Sequence, residues 1–190
     1  MLRRDEFEVV DDWYMMGLAG TGSKSVVVKD LFVPAERVLD NADVVAGNTP
    51  GATIHRNPLY STSIWPMFGY SILAPTTGIA RAAFNETVAA MREKAASPDP
   101  TFPPRRAGVE MRLAEIGVKL DACELLFRTS LEETEELIMD RRPLSEELRT
   151  RNRRNQVYIA RTCREIMDSM MQMAGGRGLK EDAPIQRALR

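Results

Sequence analysis

Residues 106–140 read RAGVEMRLAEIGVKLDACELLFRTSLEETEELIMD. Apolar side chains recur in this stretch every three or four positions, a spacing that places them on one face of an α-helix. The stripe comprises Leu113, Ile116, Leu120, Cys123, Phe127, Leu131, Thr134 and Ile138. A helix of this extent is about three times as long as the average helix in globular proteins. Helices of such length are typical of helical bundles.

A second long helix is predicted upstream, over residues 63–96. Its apolar or small residues recur at positions 67, 71, 74, 78, 82 and 89, which we expect to form its packing face. Many of these residues are small, and a small face lets another helix approach closely. Pro75 lies inside this pattern and predicts a kink or a new helix start. Residues 97–104 contain four prolines and are expected to form a loop.

A third long helix is predicted downstream, over residues 145–174. It begins at Ser145 with acidic residues in its first turn, and Gly175 and Gly176 end it. Its expected packing face comprises Val157, Ala160, Cys163, Met167, Met170 and Ala174. A short fourth helix is expected to begin near Pro184.

The N-terminal third of the chain has a different character. Residues 6–10 and 25–33 favour β-strands, and the second of these runs is rich in β-branched residues and stops at Pro34. The glycine-rich segment Gly17–Ser23 separates them and favours a turn. Residues 40–60 contain Asn, Gly and Pro throughout and are interpreted as an irregular connection. The fold class is therefore mainly α, with long antiparallel helices after a small β-rich piece.

Composition excludes several classes of function. The chain of 190 residues has a net charge of −1, a single histidine and two cysteines. One histidine rules out a two-histidine metal site within the chain, and we expect His55 to serve as a loop residue rather than a ligand. Cys123 and Cys163 are expected to be free buried thiols, although an oxidised pair is the alternative. Neither a signal peptide nor a membrane-spanning run is recognisable, so a cytoplasmic location is expected.

The basic residues of the third helix and the turn before it admit two interpretations. They could bind nucleic acid, or they could form salt bridges between helices or subunits. An acidic segment, residues 132–140, lies one helix earlier, and the net charge is near zero, so salt bridges are favoured. The basic residues are Arg141, Arg142, Arg149, Arg151, Arg153, Arg154, Arg161 and Arg164.

Several motifs, in order along the chain, resemble the acyl-CoA dehydrogenase superfamily. The run Asp12–Pro34 is similar to the end of its middle β-domain. Asn57–Tyr60 and then Gly78–Ala83 resemble the opening of its C-terminal helical bundle. Ala174–Gly176 and Pro184–Arg190 are similar to its last two helices. The more specific similarity is to the flavin-dependent monooxygenases, the oxygenase components of two-component aromatic and secosteroid hydroxylases.

This resemblance implies a fold and a domain organisation. Residues 1–60 would be a remnant of the middle β-domain with a connecting loop. Residues 61–190 would be the C-terminal antiparallel four-helix bundle. The family assembles as homotetramers, so a homo-oligomer is expected.

The resemblance also implies an activity. A flavin, FMN or FAD, would arrive in reduced form from a separate flavin reductase, and the enzyme would hydroxylate a small aromatic substrate with O2. Two alternatives are an acyl-CoA dehydrogenase-type oxidoreductase and a non-catalytic helical oligomerisation module. Neither nucleic acid nor a membrane is expected as a partner, and the chain alone is not expected to turn over.

The resemblance assigns cofactor-binding positions but no catalytic residue and no metal ligand. Thr21 and Ser23 would lie near the flavin, and Gln172, Gly175 and Gly176 near the flavin tail of a neighbouring subunit. The sequence departs from the family where an Arg often follows the Pro-Leu-Tyr segment, with an aromatic residue three positions later. Ser61 and Ile64 stand at those positions, although Trp65 is adjacent. A serine cannot make the charge-assisted contact of a guanidinium.

Overall fold

The computed structural model describes residues 1–96 and 106–189, so the loop predicted over 97–104 lies outside the described residues. The chain forms two compact units, Met1–Ile64 and Trp65–Leu189. The first holds a small sheet and short helices, and the second holds the long helices. The mainly α fold class is confirmed.

The sheet of the first unit has two short antiparallel strands. Strand β1, Glu8–Val10, pairs with β2, Ser25–Val27, and Val9 lies opposite Val26. The strand predicted over 25–33 is therefore too long. Asp30 adopts a φ of 45°, in the left-handed region, which interrupts the extended backbone after β2.

Two short helices occupy the segment predicted to be irregular, which corrects that prediction. Helix α1 spans Asn41–Ala46 and helix α2 spans Pro50–Ile54. The Asp40 side chain caps α1 by accepting a hydrogen bond from the amide of Ala42 at 2.7 Å. Gly47 ends α1 with a φ of 75°. Local capping thus stabilises one turn of helix where the composition alone indicated a loop.

An ion pair ties the start of the first unit to its later part. The Arg37 guanidinium donates two hydrogen bonds to the Glu6 carboxylate, one of them 2.9 Å from Nη1 to Oε1. These bonds lower the pKa of Glu6 from 4.5 to about 2. A carboxyl whose pKa is lower in the folded state stabilises that state above its unfolded pKa.

The first unit is therefore expected to lose this contribution as the pH falls from about 4.5 towards about 2. NMR titration of the Glu6 carboxyl should show the low pKa directly. In Arg37→Ala the pKa of Glu6 should return towards 4.5, whereas Arg149→Ala, remote in sequence, should leave it unchanged. A pKa near 4.5 in the wild-type chain would contradict the ion pair.

The described residues of the second unit form three long α-helices and one short one. They are α3, Ile64–Ala96, α4, Arg106–Met139, α5, Glu146–Ala174, and α6, Pro184–Leu189. These bounds agree closely with the predicted ones. Ser145 caps α5 by accepting from the Leu148 amide at 3.1 Å, and Gly175 ends it. Helix α3 continues through Pro75, so no new helix starts there.

Contacts between side chains give the helix directions. Along the α4–α5 contact, Glu133 binds Arg151 while Ser130 binds Asn155, so the two helices are antiparallel. Helix α3 is antiparallel to α4 in the same way. Its Tyr70 donates to the Ser130 carbonyl at 3.1 Å, and its Arg81 binds Glu124 at 2.7 Å.

The core lies where the three long helices meet. The stripe predicted for α4 is confirmed, since Ile116, Leu120, Cys123, Thr134 and Ile138 are buried and the other members of the stripe are half-buried. Cys123 and Cys163 are both buried free thiols, as predicted. The remaining buried apolar side chains of this cluster come from α3 and α5: Leu73, Ala80, Ala83, Ile159, Ile166, Met167 and Met170.

The predicted faces of α3 and α5 need correction. On α3 the small residues at 71, 74, 78, 82 and 89 are exposed, and the buried face lies one position away, at Tyr70, Leu73, Thr77, Ala80 and Ala83. On α5, Val157 and Ala160 are exposed, while Asn152, Asn155 and Gln156 are buried. Polar residues occupy part of the α5 core, and a search for apolar periodicity cannot detect them.

Candidate functional site

The glycine-rich segment Gly17–Ser23 forms a tight turn between the two strands. The Thr21 hydroxyl donates to the Leu18 carbonyl at 2.9 Å, and Thr21 Oγ1 lies 3.1 Å from Ser23 Oγ. Both side chains are exposed. The structure therefore brings the two predicted flavin contacts of this unit together, as a pair of hydroxyls open to a ligand.

Side chains from the segment between β1 and the turn hold the turn in place. The Trp13 indole N–H donates to the Leu18 carbonyl at 3.0 Å, and Asp12 Oδ1 accepts from the Ser25 amide at 3.0 Å. The bonds from Ser25 lower the pKa of Asp12. Leu18 and Gly22 both adopt the left-handed conformation. Asp12 and Trp13 thus hold the turn at both of its ends, through the Leu18 carbonyl and the Ser25 amide.

Gln172, Gly175 and Gly176 lie together where α5 ends. All three are exposed. Gly175 has φ and ψ of 62° and −153°, a conformation that is essentially restricted to glycine, and its amide donates to the carbonyls of Gln172 and Met171. No atom lies within 4 Å of the Cβ position of Gly176. Its φ lies outside the left-handed region.

Packing within the described chain therefore gives no reason for glycine at position 176. A side chain there would enter open space, where it would obstruct a ligand approaching the backbone. Gly20 in the first unit likewise has no atom within 4 Å of its Cβ position and a φ outside the left-handed region. Both positions leave room for a ligand to approach the main chain, a property that the exposed helix residue Gly78 shares.

Gly178 is glycine for a different reason. A Cβ atom there would lie 2.8 Å from Ala174 Cβ and 3.0 Å from Met171 Sδ. Close packing at Gly178 folds the 3₁₀ turn Gly175–Leu179 back against α5. This turn carries the exposed glycines, so Gly178 positions them.

A groove of about 470 Å³ lies beside this turn, between the second half of α3 and helix α6. Most of its lining is apolar, while Arg177 supplies a cation and Glu86 and Glu93 supply carboxylates. The sequence reasoning missed Arg177 and this groove. The only signal was an arginine inside a Gly-Gly-Arg-Gly run, which does not by itself indicate a groove.

Ser61 and Trp65, which mark the departure from the family pattern, make contacts with residues close to them in sequence. The Ser61 hydroxyl donates to the Pro58 carbonyl at 3.0 Å, which is a role within its own turn. Trp65 is 57% exposed, and its ring meets Phe68 edge-on at 6.2 Å. With the equally exposed Ile72, these residues form an apolar stripe at the start of α3.

The remaining candidate groups have local structural roles. His55 stacks on Tyr60 with ring centroids 4.1 Å apart. Across residues 1–96 and 106–189, no group of three or more His, Cys, Asp and Glu side chains could hold a metal ion.

Three of the basic residues of α5 form ion pairs. Arg151 pairs with Glu133, Arg161 with Glu165, and Arg164 with Asp168. In the same ranges, no helix combines the length and apolarity needed to cross a membrane.

The sequence is similar to proteins of known function along its entire length. It is 30% identical to the pigment production hydroxylase of a Rhodococcus species, over all of this chain and 49% of the relative. It is also 30% identical to the oxygenase component of the FADH2-dependent resorcinol hydroxylase of a Rhizobium species, over 97% of this chain and 47% of that protein. The chain thus spans about half the length of the curated relatives it matches.

A solved structure shows the same fold. The crystal structure of the HsaA monooxygenase from Mycobacterium tuberculosis superposes with a TM-score of 0.87 at 30% identity, over 99% of this chain and 48% of HsaA. HsaA is the oxygenase subunit of a flavin-dependent monooxygenase. The family model for the acyl-CoA dehydrogenase C-terminal domain matches residues 70–190, which is well over half of the chain. The chain therefore belongs to the acyl-CoA dehydrogenase C-terminal domain family.

Proposed function

We propose that this chain is the C-terminal half of the oxygenase component of a flavin-dependent monooxygenase. The reaction would hydroxylate an aromatic substrate with reduced flavin and O2, and a separate flavin reductase would supply the flavin. The observation that carries this proposal is the alignment of nearly the whole chain with hydroxylases and oxygenase components. The family model alone would also allow an acyl-CoA dehydrogenase, but the aligned relatives named above are oxygenases or hydroxylases.

Each of the two exposed groups described above would contact a flavin. In the first unit, Thr21 and Ser23 would offer hydroxyls to it. In the second unit, Gln172 would offer its side-chain amide, and Gly175 and Gly176 an unobstructed backbone, to the flavin tail of a neighbouring subunit. The bound flavin supplies the activation of O2, and the protein's task is to bind, orient and keep water away. The open space at the Cβ position of Gly176 and the paired, exposed hydroxyls of Thr21 and Ser23 support this assignment.

The apolar stripe at the start of α3 would contribute to water exclusion. Trp65, Phe68 and Ile72 are about half exposed, which is unusual for three neighbouring large apolar side chains on one helix face. We propose that they form one wall of the aromatic substrate site. The family often has an arginine at the position of Ser61. Since this chain has a serine there, no guanidinium would hold the substrate or flavin at that position.

The domain assignment is part of the same proposal. Residues 1–60 would be the end of a middle β-domain, and residues 61–190 the helical bundle. The antiparallel pair β1–β2 and the long helices α3, α4 and α5 support it.

We also propose that the chain forms a homo-oligomer, and that it is a tetramer as is usual in the family. Helix α4 carries a second apolar stripe opposite its buried face. Met111, Val118 and Leu125 recur at intervals of seven residues and are 66%, 70% and 63% exposed. Seven residues correspond to two helical turns, so the three side chains lie in one row. A helix of a second subunit would bury such a row.

Val118→Glu is expected to dissociate this oligomer, because it buries an unpaired carboxylate in the proposed interface. Light scattering should show a smaller mass, while circular dichroism should show an unchanged helix content. Asn85→Glu places the same charge on the exposed surface of α3 and should leave the mass unchanged. A monomeric wild-type chain would contradict the proposed assembly.

The activity can be tested with a hybrid protein. The part of HsaA that this chain does not match is joined to the chain, and the hybrid is supplied with reduced flavin, O2 and a panel of phenols. Hydroxylated product is expected from the hybrid and not from the chain alone. A folded hybrid that binds flavin but oxidises acyl-CoA instead would support the dehydrogenase alternative.

A further inference from the structure

The two cysteines of the sequence meet across the contact between α4 and α5. Cys123 on α4 is 0% exposed and Cys163 on α5 is 1% exposed, and both belong to the core where the long helices meet. The proposed hydroxylation uses neither of them. Two adjacent thiols have a chemistry of their own, whereas a single buried cysteine serves as a small apolar side chain.

The register of the two helices places these cysteines opposite each other. Asn152 Nδ2 donates to Thr134 Oγ1 at 2.8 Å, which marks one pair of facing positions on the antiparallel helices. Cys123 precedes Thr134 by eleven residues, and Cys163 follows Asn152 by eleven residues. Eleven residues are close to three helical turns, so each cysteine lies on the same helix face as its counterpart. The two cysteines therefore form a second facing pair.

A hydrogen bond joins the two sulfur atoms. The Cys163 thiol donates it, which lowers the pKa of Cys123; burial acts in the opposite direction, and the Thr162 hydroxyl adds a second lowering contact. The bond to Cys123 and burial both raise the pKa of Cys163. Cys123 is therefore the sulfur that ionises first, and the thiolate is the form of cysteine that reacts with oxidants.

We propose that Cys123 and Cys163 are a site of oxidation, at which hydrogen peroxide converts the two thiols into a disulfide between α4 and α5. Peroxide is small and uncharged, so it reaches a packed core during local opening of the helix contact more readily than a charged oxidant does. The sequence contains no other cysteine, so a disulfide within one chain has a single pairing. This proposal does not rest on the proposed hydroxylation.

The reaction has two balanced steps. The Cys123 thiolate attacks one peroxide oxygen, so an S–O bond forms, the O–O bond breaks, and sulfur transfers two electrons to peroxide. The hydroxide that leaves takes up the proton that Cys123 released. The Cys163 sulfur then attacks the sulfenic sulfur of Cys123, so an S–S bond forms and the oxygen leaves as water with the Cys163 proton. One peroxide and two thiols give one disulfide and two waters.

The neighbouring thiol determines how far the oxidation goes. A sulfenic acid without a thiol beside it is oxidised further to a sulfinic acid, which is not reversed by thiols. With Cys163 in contact, the reversible disulfide forms instead. It also links α4 to α5 covalently and restricts the unfolded chain, which stabilises the helical unit.

Mass spectrometry of the full chain after exposure to hydrogen peroxide tests the proposal. The chain is unfolded, free thiols are alkylated, and peptides are mapped without reductant. We expect a peptide pair joined through Cys123 and Cys163 in chains that migrate as single chains, and its loss after dithiothreitol. Unreacted thiols under conditions that oxidise glutathione would overturn the proposal, as would disulfides between two chains or sulfinic acid at Cys123.

Cys163→Ala removes the second thiol and provides the contrast with the wild type. Dimedone should label Cys123 in this variant, because its sulfenic acid has no partner, and should leave the wild type unlabelled. Equal labelling of the two proteins would contradict the proposal. Circular dichroism checks that the variant is folded.

Thermal unfolding gives a readout that needs no variant. The oxidised chain is expected to unfold at least about 5 °C above the reduced chain, since the disulfide restricts the unfolded state. Reduction should restore the lower midpoint. An unchanged or lower midpoint in fully linked chains would show that the bond does not fit the contact between α4 and α5, and would overturn its placement there.

Discussion

Leu120→Ala is expected to lower the free energy of unfolding of the helical unit by about 3–4 kcal/mol. Leu120 is fully buried on α4, at the contact among the three long helices. Its removal would leave a cavity that close-packed helices cannot fill. The measurement is a urea titration followed by circular dichroism, in which the midpoint should fall with little change in slope.

Leu179→Ala is the matched control for that experiment. It is the same substitution at a position that is 70% exposed, and its effect should stay within about 0.5 kcal/mol. If Leu120→Ala costs less than about 1 kcal/mol, the packing of α4 described above is wrong.

Gly47→Ala is expected to destabilise the first unit by at least about 2 kcal/mol, for two independent reasons. Gly47 has a φ of 75°, and an L-residue in the left-handed region costs about 1–2 kcal/mol. A Cβ atom there would also overlap the carbonyl oxygen of Ser61, which is backbone and cannot move aside cheaply. The turn Pro58–Ser61 would have to separate from the end of α1.

Hydrogen exchange can detect that separation. Amides within residues 41–62 should exchange faster in Gly47→Ala, while those of α4 and α5 should not change. Gly20→Ala is the control, since its Cβ enters open space and its φ lies outside the left-handed region. Unchanged protection in Gly47→Ala would show that the contact with Ser61 is not formed.

The long helices could be predicted from the sequence because their signals are local. Ser145 and Gly175 mark the ends of α5, and the apolar stripe of α4 is uninterrupted. The face that α5 buries could not be predicted in the same way. Asn152, Asn155 and Gln156 are buried only because Ser130, Thr134 and Tyr70 on other helices meet them, and such pairing depends on tertiary contacts.

The candidate site could be predicted in part. The resemblance to the family assigns Thr21 and Ser23, and separately Gln172, Gly175 and Gly176, and each group is exposed in its own unit. Their role in binding flavin stays a prediction. The groove beside Gly178 was not foreseen, because it forms where α3 and α6 meet and neither helix carries a distinctive motif there.

The proposed function depends most on the proposed binding of a flavin to the open backbone at the end of α5. Anaerobic titration of the chain with FADH2, followed by calorimetry, tests it most directly. We predict saturable binding that Gly176→Val weakens at least tenfold and that Gly78→Ala, an exposed glycine of α3 with open space around it, leaves unchanged. The absence of binding to the folded chain, or equal binding by the wild type and Gly176→Val, would contradict the claim.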